Sequence, residues 1–266
     1  MSNWQSLTFG VEIECITRES RDTVAQWLST AGVSCVWNVG VNIHATTQTW
    51  KVVPDGSVRN GLEVVSPILK GRDGLEQVRK VMTTLVANGV TVDRQCGMHV
   101  HVGARGATPK QVANVCKMFL RHEVNFDRIV SASRRGNENT FCRSNRTRGV
   151  LAAMMSTLNS VRSVQGAALT MNGGYQQGYH HYRYHKLNLS SYLTHGTLEF
   201  RQHQGTVDAD KACNWIRLVT GFVAVGFSAP TVTDLSDAPF EQLMRMTDSD
   251  GEAYFTARRD HFEGRA

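Results

Sequence analysis

No apolar run in the 266 residues approaches the roughly 20 that a membrane-spanning helix requires, so a helical membrane protein is not expected. The first residues, Met1-Ser2-Asn3-Trp4-Gln5, lack the basic and apolar regions of a secretion signal, and a cytoplasmic protein is the expectation. The six cysteines (Cys15, Cys35, Cys96, Cys116, Cys142, Cys213) never take a Cys-x-x-Cys spacing. Free buried thiols are therefore expected rather than a disulfide framework. Cys142 stands apart, because nearby arginines would lower its pKa. Internal repeats and long linkers are also missing, which predicts one domain over 1–266, with 230–266 as a helical C-terminal extension. What the chain does have is 41% hydrophobic residues, enough for a large core. A formal charge of +6 points to an anionic partner, whether a phosphate group or a nucleic-acid backbone.

The most informative stretch runs from Cys96 to Gly103, where apolar and polar side chains alternate strictly. As a strand it turns Met98, Val100 and Val102 to one face and His99 and His101 to the other. Two imidazoles about 7 Å apart on one face can share a site. Other segments repeat the design. Phe9 to Cys15 sends Glu12 and Glu14 to its polar side, Leu62 to Ser66 contributes Glu63, and Thr197 to His203 contributes Glu199, Arg201 and His203. His185 to Ser190 offers Lys186 and Asn188. A face meant only for water would carry Lys, Thr, Ser and Gln, so these strands predict a polar site on a sheet.

Between the strands, Ser20 is placed to cap a helix over 21–31, and residues 73–88 form an amphipathic helix. Strands are expected at 34–37, 49–53 and 90–92, with a turn at Pro54-Asp55-Gly56-Ser57. Thr108-Pro109-Lys110-Gln111 is a capping-box start for a helix reaching about Ile129. Residues 131–148 break this order with five arginines (Arg134, Arg135, Arg143, Arg146, Arg148), a loop suited to phosphate, carboxylate or a nucleic-acid backbone. A helix over 149–164, a Gly/Tyr/His loop over 173–185 and a long helix opened by Asp208 complete the pattern.

Taken in order, Phe9-Gly10-Val11-Glu12-Ile13-Glu14, Leu62-Glu63-Val64-Val65-Ser66-Pro67, Cys96-Gly97-Met98-His99-Val100-His101, Lys186-Leu187-Asn188 and Thr197 to Thr206 resemble the amidoligase family. These are carboxylate-amine ligases with a glutamine synthetase-like fold. The resemblance implies an α+β domain, in which a curved antiparallel sheet carries helices on its convex face and holds ATP with Mg²⁺ (or Mn²⁺) on the other. It implies Glu12, Glu14, Glu63, His99 and Glu199 as metal ligands, and His101 beside the nucleotide. Arg201 would steady the terminal phosphate, with Lys186 and Asn188 bounding the reaction centre. Asp55 is a less securely matched carboxylate, and Arg143 and Arg146, offered as basic groups for the nucleotide, come from the 131–148 loop, which the resemblance does not cover.

That inventory suits a ligase. A carboxylate acylates an amine only after activation as an acyl phosphate, and the phosphoryl step needs charge neutralised by cations and an arginine. A nearby base must then take the amine's proton. An imidazole ligand would favour Mn²⁺ or Zn²⁺ over Mg²⁺ on chemical grounds, which leaves a metal-dependent hydrolase as an alternative. A phosphotransferase on the same fold is another, and a nucleic-acid binder using the Arg134 to Arg148 loop is a third. The carboxylate and amine substrates, small molecules or peptides, are not named by the sequence, and neither is the oligomeric state.

Overall fold

Alternation in β1 (Thr8–Ile16) sets the two faces on which everything else is built. Phe9, Val11, Ile13 and Cys15 are buried on one side, while Glu12 and Glu14 lie on the other. The computed structural model describes residues 4–38, 45–146, 150–173, 180–234 and 236–265. The fold is mixed α+β, with helices and an open sheet. Its chain divides into two compact units, one of Gln5–Val100 and His203–Ile216, the other of Met1–Trp4, His101–Gln202 and Arg217–Ala266.

The first unit holds α1 (Arg21–Thr30), β2 (Cys35–Val36), β3 (Trp50–Asp55), β4 (Gly61–Val65), β5 (Leu69–Lys70) and α2 (Gly71–Ala87). It also takes in the first half of β6 (Gly97–Gly103). Its strand order is β2-β3-β4-β1-β6, with β5 paired to β1 outside that path. The β3·β4 and β4·β1 pairings are antiparallel, but β2 runs parallel to β3, which departs from a purely antiparallel sheet. Ser20 caps α1 through the Thr23 amide, as its position predicts. Helix α2 buries Val78, Val81, Met82 and Leu85. Gly74 lets it approach closely, since a Cβ there would stand 2.9 Å from both Phe9 and Leu69. The expected turn at Pro54 begins later, because β3 continues through Asp55, whose Oδ1 accepts from the Ser57 amide and hydroxyl. At 90–92 only a single bridge forms, between Thr91 and Ile16.

The second unit holds the rest of β6, α3 (Pro109–Asp127), α4 (Leu151–Ser160), α5 (Val164–Asn172), β7 (Leu187–Asn188) and α6 (Ser190–His195). β8 (Thr197–Gln204) follows and belongs to this unit through Gln202. Strand β8 lies between β6 and β7. Helix α7 (Ala209–Ser228) runs from the first unit into the second, which closes with α8 (Phe240–Met244) and α9 (Ser249–Phe262). The capping box at Thr108 and Gln111 forms as expected. The single helix predicted over 149–164 is instead two, because Val161 is extended and Ser163 caps a new helix through the Gly166 amide. An aromatic core joins the layers: Phe119, Phe126, Phe200 and Phe222 pack with ring centroids 5.4–6.4 Å apart. Among the described residues, no helix is long and apolar enough to cross a membrane.

The basic segment is fastened rather than free-standing. Glu123 Oε2 accepts from the backbone amides of Asn145 and Arg146, and Arg143 bridges to His185 in strand fashion. Arg148 and most of the Gly/Tyr loop, 174–179, lie outside the described residues.

Candidate active site

Register on the first unit's sheet collects the acidic groups. Glu14 of β1 is paired with Glu63 of β4, which is paired in turn with Val53 of β3. Asp55, two residues on from Val53, therefore shares their face. His99 reaches that face from β6. One donor atom each from Glu12, Glu63 and His99 lie within 4.8 Å of one another. His99 Nδ1 stands 3.1 Å from Glu12 Oε2, and its Nε2 is 3.5 Å from Glu14 Oε1. The second oxygen of Glu14 accepts from the Gly97 amide at 2.6 Å, so the strand that carries His99 also aims this carboxylate. Asp55 Oδ2 is buried with no hydrogen-bond partner among the described residues.

The second unit gathers Asn188, Glu199 and Arg201, with His101 alongside. Antiparallel register sets Asn188 opposite Glu199, and Asn188 Nδ2 donates to Glu199 Oε2 at 2.6 Å. Arg201 donates to the other oxygen at 2.5 Å. Its Nε donates to the Phe141 carbonyl, 3.2 Å away, and its guanidinium lies 5.8 Å from the centre of the Tyr184 ring. Three contacts thus set one guanidinium plane. His101 Nδ1 is 2.9 Å from Thr197 Oγ1, and its Nε2 is 3.9 Å from Glu199.

Some expected members sit elsewhere. Lys186 is fully buried and its ammonium donates to Glu123 and Asp127 of α3, at 3.1 and 2.6 Å, while its backbone carbonyl accepts from the Arg201 amide. Arg146 turns to Asp237 at 2.8 Å. Arg143 is half-buried and tied through its backbone to Tyr184 and Lys186. Cys142 is not activated by its arginines: burial pushes its thiol pKa up, outweighing Arg134, Lys186 and Arg201. All six cysteines are free.

Sequence reasoning missed Lys51, Tyr184 and Phe141. Lys51 alternates with Val53 and Asp55 along β3, and that periodicity could have revealed it. The other two carried no such signal, since their roles come from loop placement.

A half-buried set of carboxylates around an imidazole on a sheet face is the kind of centre that enzymes use to hold a divalent cation. Residues 5–223 match the family described as "Putative amidoligase enzyme", and the chain belongs to that family. No curated protein matches the sequence. Among solved structures, the chain is similar to a bifunctional glutathione synthetase from Pasteurella multocida. That likeness has 11% identity and a TM-score of 0.49, covering 98% of this chain and 48% of the other. The chain therefore spans about half the length of that synthetase.

Proposed function

We propose that the chain is an ATP-dependent ligase that joins a carboxylate to an amine through an acyl phosphate, on a glutamine synthetase-like catalytic fold. The reading rests on one observation above all, the meeting of Glu12, Glu63 and His99 donor atoms within 4.8 Å. Their chemistry fits a divalent cation: carboxylate oxygens suit Mg²⁺, and the imidazole also admits Mn²⁺. Glu14, aimed by the Gly97 amide, belongs with them. When bound, such a cation neutralises oxygens of the nucleotide's terminal phosphate.

The remaining steps fall to side chains. Arg201, its plane set by Glu199, Phe141 and Tyr184, offers forked donors suited to a phosphoryl or carboxylate group. Asn188 holds Glu199 in place, and His101 is assigned to the nucleotide. The substrate carboxylate oxygen bonds to the terminal phosphorus as ADP leaves. The amine nitrogen then bonds to the acyl carbon, inorganic phosphate departs, and a carboxylate takes the amine's proton. Asp55 is the residue for that proton, because its Oδ2 is buried beside the acidic set with no donor upon it among the described residues.

The test is incubation with ATP, Mg²⁺ or Mn²⁺, and panels of amino acids, polyamines and peptides, read by ADP release and mass spectrometry. A product lighter than its two parents by one water, lost in Glu12→Gln, is expected. No ADP under any condition, with tight Zn²⁺ binding and no thermal response to nucleotide, would replace this reading with a hydrolase.

A further inference from the structure

Lys51 is 3% exposed, yet it lies on the polar face of its unit's sheet. Its Cα is paired with Val65 of β4, and Val65 with Glu12 of β1. Lys51 and Glu12 therefore point the same way across one intervening strand, at about twice the 4.8 Å strand spacing. Glu63, two residues from Val65, is the diagonal neighbour of Lys51 at roughly 7–8 Å, within reach of a long side chain. The ammonium donates to the Ala45 carbonyl at 2.7 Å, which gives the side chain a definite direction. Burial lowers its pKa, and the carboxylates of Glu12 and Glu63 raise it, so their fields reach it. On β1, β3 and β4 this face carries Glu12, Glu14, Asp55 and Glu63, and Lys51 is its one basic residue.

We propose that Lys51 is a positioning residue that sets the cation affinity of the Glu12, Glu63 and His99 group. It aligns Glu12 and Glu63 from the side away from His99, and it competes with a divalent cation for the same two carboxylates. A fixed positive charge beside a divalent cation is repelled by it, so affinity stays below what the carboxylates alone would provide. A nucleotide's cation can then be exchanged with each turnover instead of being trapped. The inference rests on the cation-binding part of the function proposed above, and its test requires neither ATP nor substrate.

Mn²⁺ is titrated calorimetrically into the full chain, without nucleotide, for wild type, Lys51→Met and Lys51→Arg. Lys51→Met should bind about tenfold more tightly, the order expected from one neighbouring charge at an effective dielectric near 20 with solvent screening. Lys51→Arg should stay within about twofold of wild type, since the charge is retained. If Lys51→Met lacks a cooperative melt, the neutral polar variant Lys51→Gln takes its place. Unchanged or weaker binding in the folded neutral variant overturns the proposal, and so does wild type that binds no Mn²⁺ at millimolar concentration. Tighter binding in a chain that never turns over ATP would uphold Lys51 and remove only the ligase reading.

Discussion

Glu14 of β1 and Glu63 of β4 stand directly opposite one another in antiparallel register. Like charges at facing positions destabilise a sheet, and nothing in the local strand pattern requires them there. The pairing is tolerable where something positive joins them, which is the physical case for a cation at this face.

Neutralising one member should therefore separate stability from binding. Glu63→Gln is expected to stabilise the metal-free chain by about 0.5 kcal/mol, raising the melting temperature by roughly 1–2 °C. It should also weaken Mn²⁺ binding by at least tenfold. Thermal melts with and without Mn²⁺ check both, and a lower metal-free melting temperature would count against the charge argument.

Lys186 should behave as a structural residue. Its ammonium neutralises Glu123 and Asp127 in a fully buried position, so Lys186→Met leaves two carboxylates without their cation. A loss of about 3–5 kcal/mol is expected, measured by urea unfolding. Stability within 1 kcal/mol of wild type would contradict the buried ion pairing.

His122 predicts an acid-side loss of stability. Burial, with Arg121 nearby, lowers its pKa from 6.5 to about 4. Its folded value lies below its unfolded value, so the unfolded chain binds the extra proton between pH 6.5 and 4. This contribution is fully present above pH 6.5 and lost as pH falls toward 4, amounting to about 3 kcal/mol. His122→Leu should flatten the urea-derived stability profile across that window.

Cys142 should resist alkylation. It is 1% exposed and its thiol pKa is raised, so iodoacetamide at pH 8 should label it in urea but not in the native state. Peptide mass mapping decides the point, and rapid native labelling would restore the expectation of an activated thiol.

Much of this protein was legible in its sequence, because the deciding signals are local. Period-two alternation places Glu12 and Glu14 on one side of β1 and His99 opposite Met98 and Val100 on β6, whatever they pack against. The same holds for the cap at Ser20 and the box at Thr108 and Gln111, which need only neighbouring residues. The break at Val161 was marked only by the polar run Asn159-Ser160 and Arg162-Ser163, of which Ser163 caps the next helix.

Tertiary structure alone decided which partner each charge would find. Lys186 and Asn188 share a strand parity, yet one is bound by α3 and the other by Glu199. Arg146 and Arg201 are equally arginines, but Asp237 holds the first and Glu199 the second. Alternation fixes the direction in which a side chain leaves its own strand. What it meets there comes from residues tens of positions away, and no local period encodes that distance.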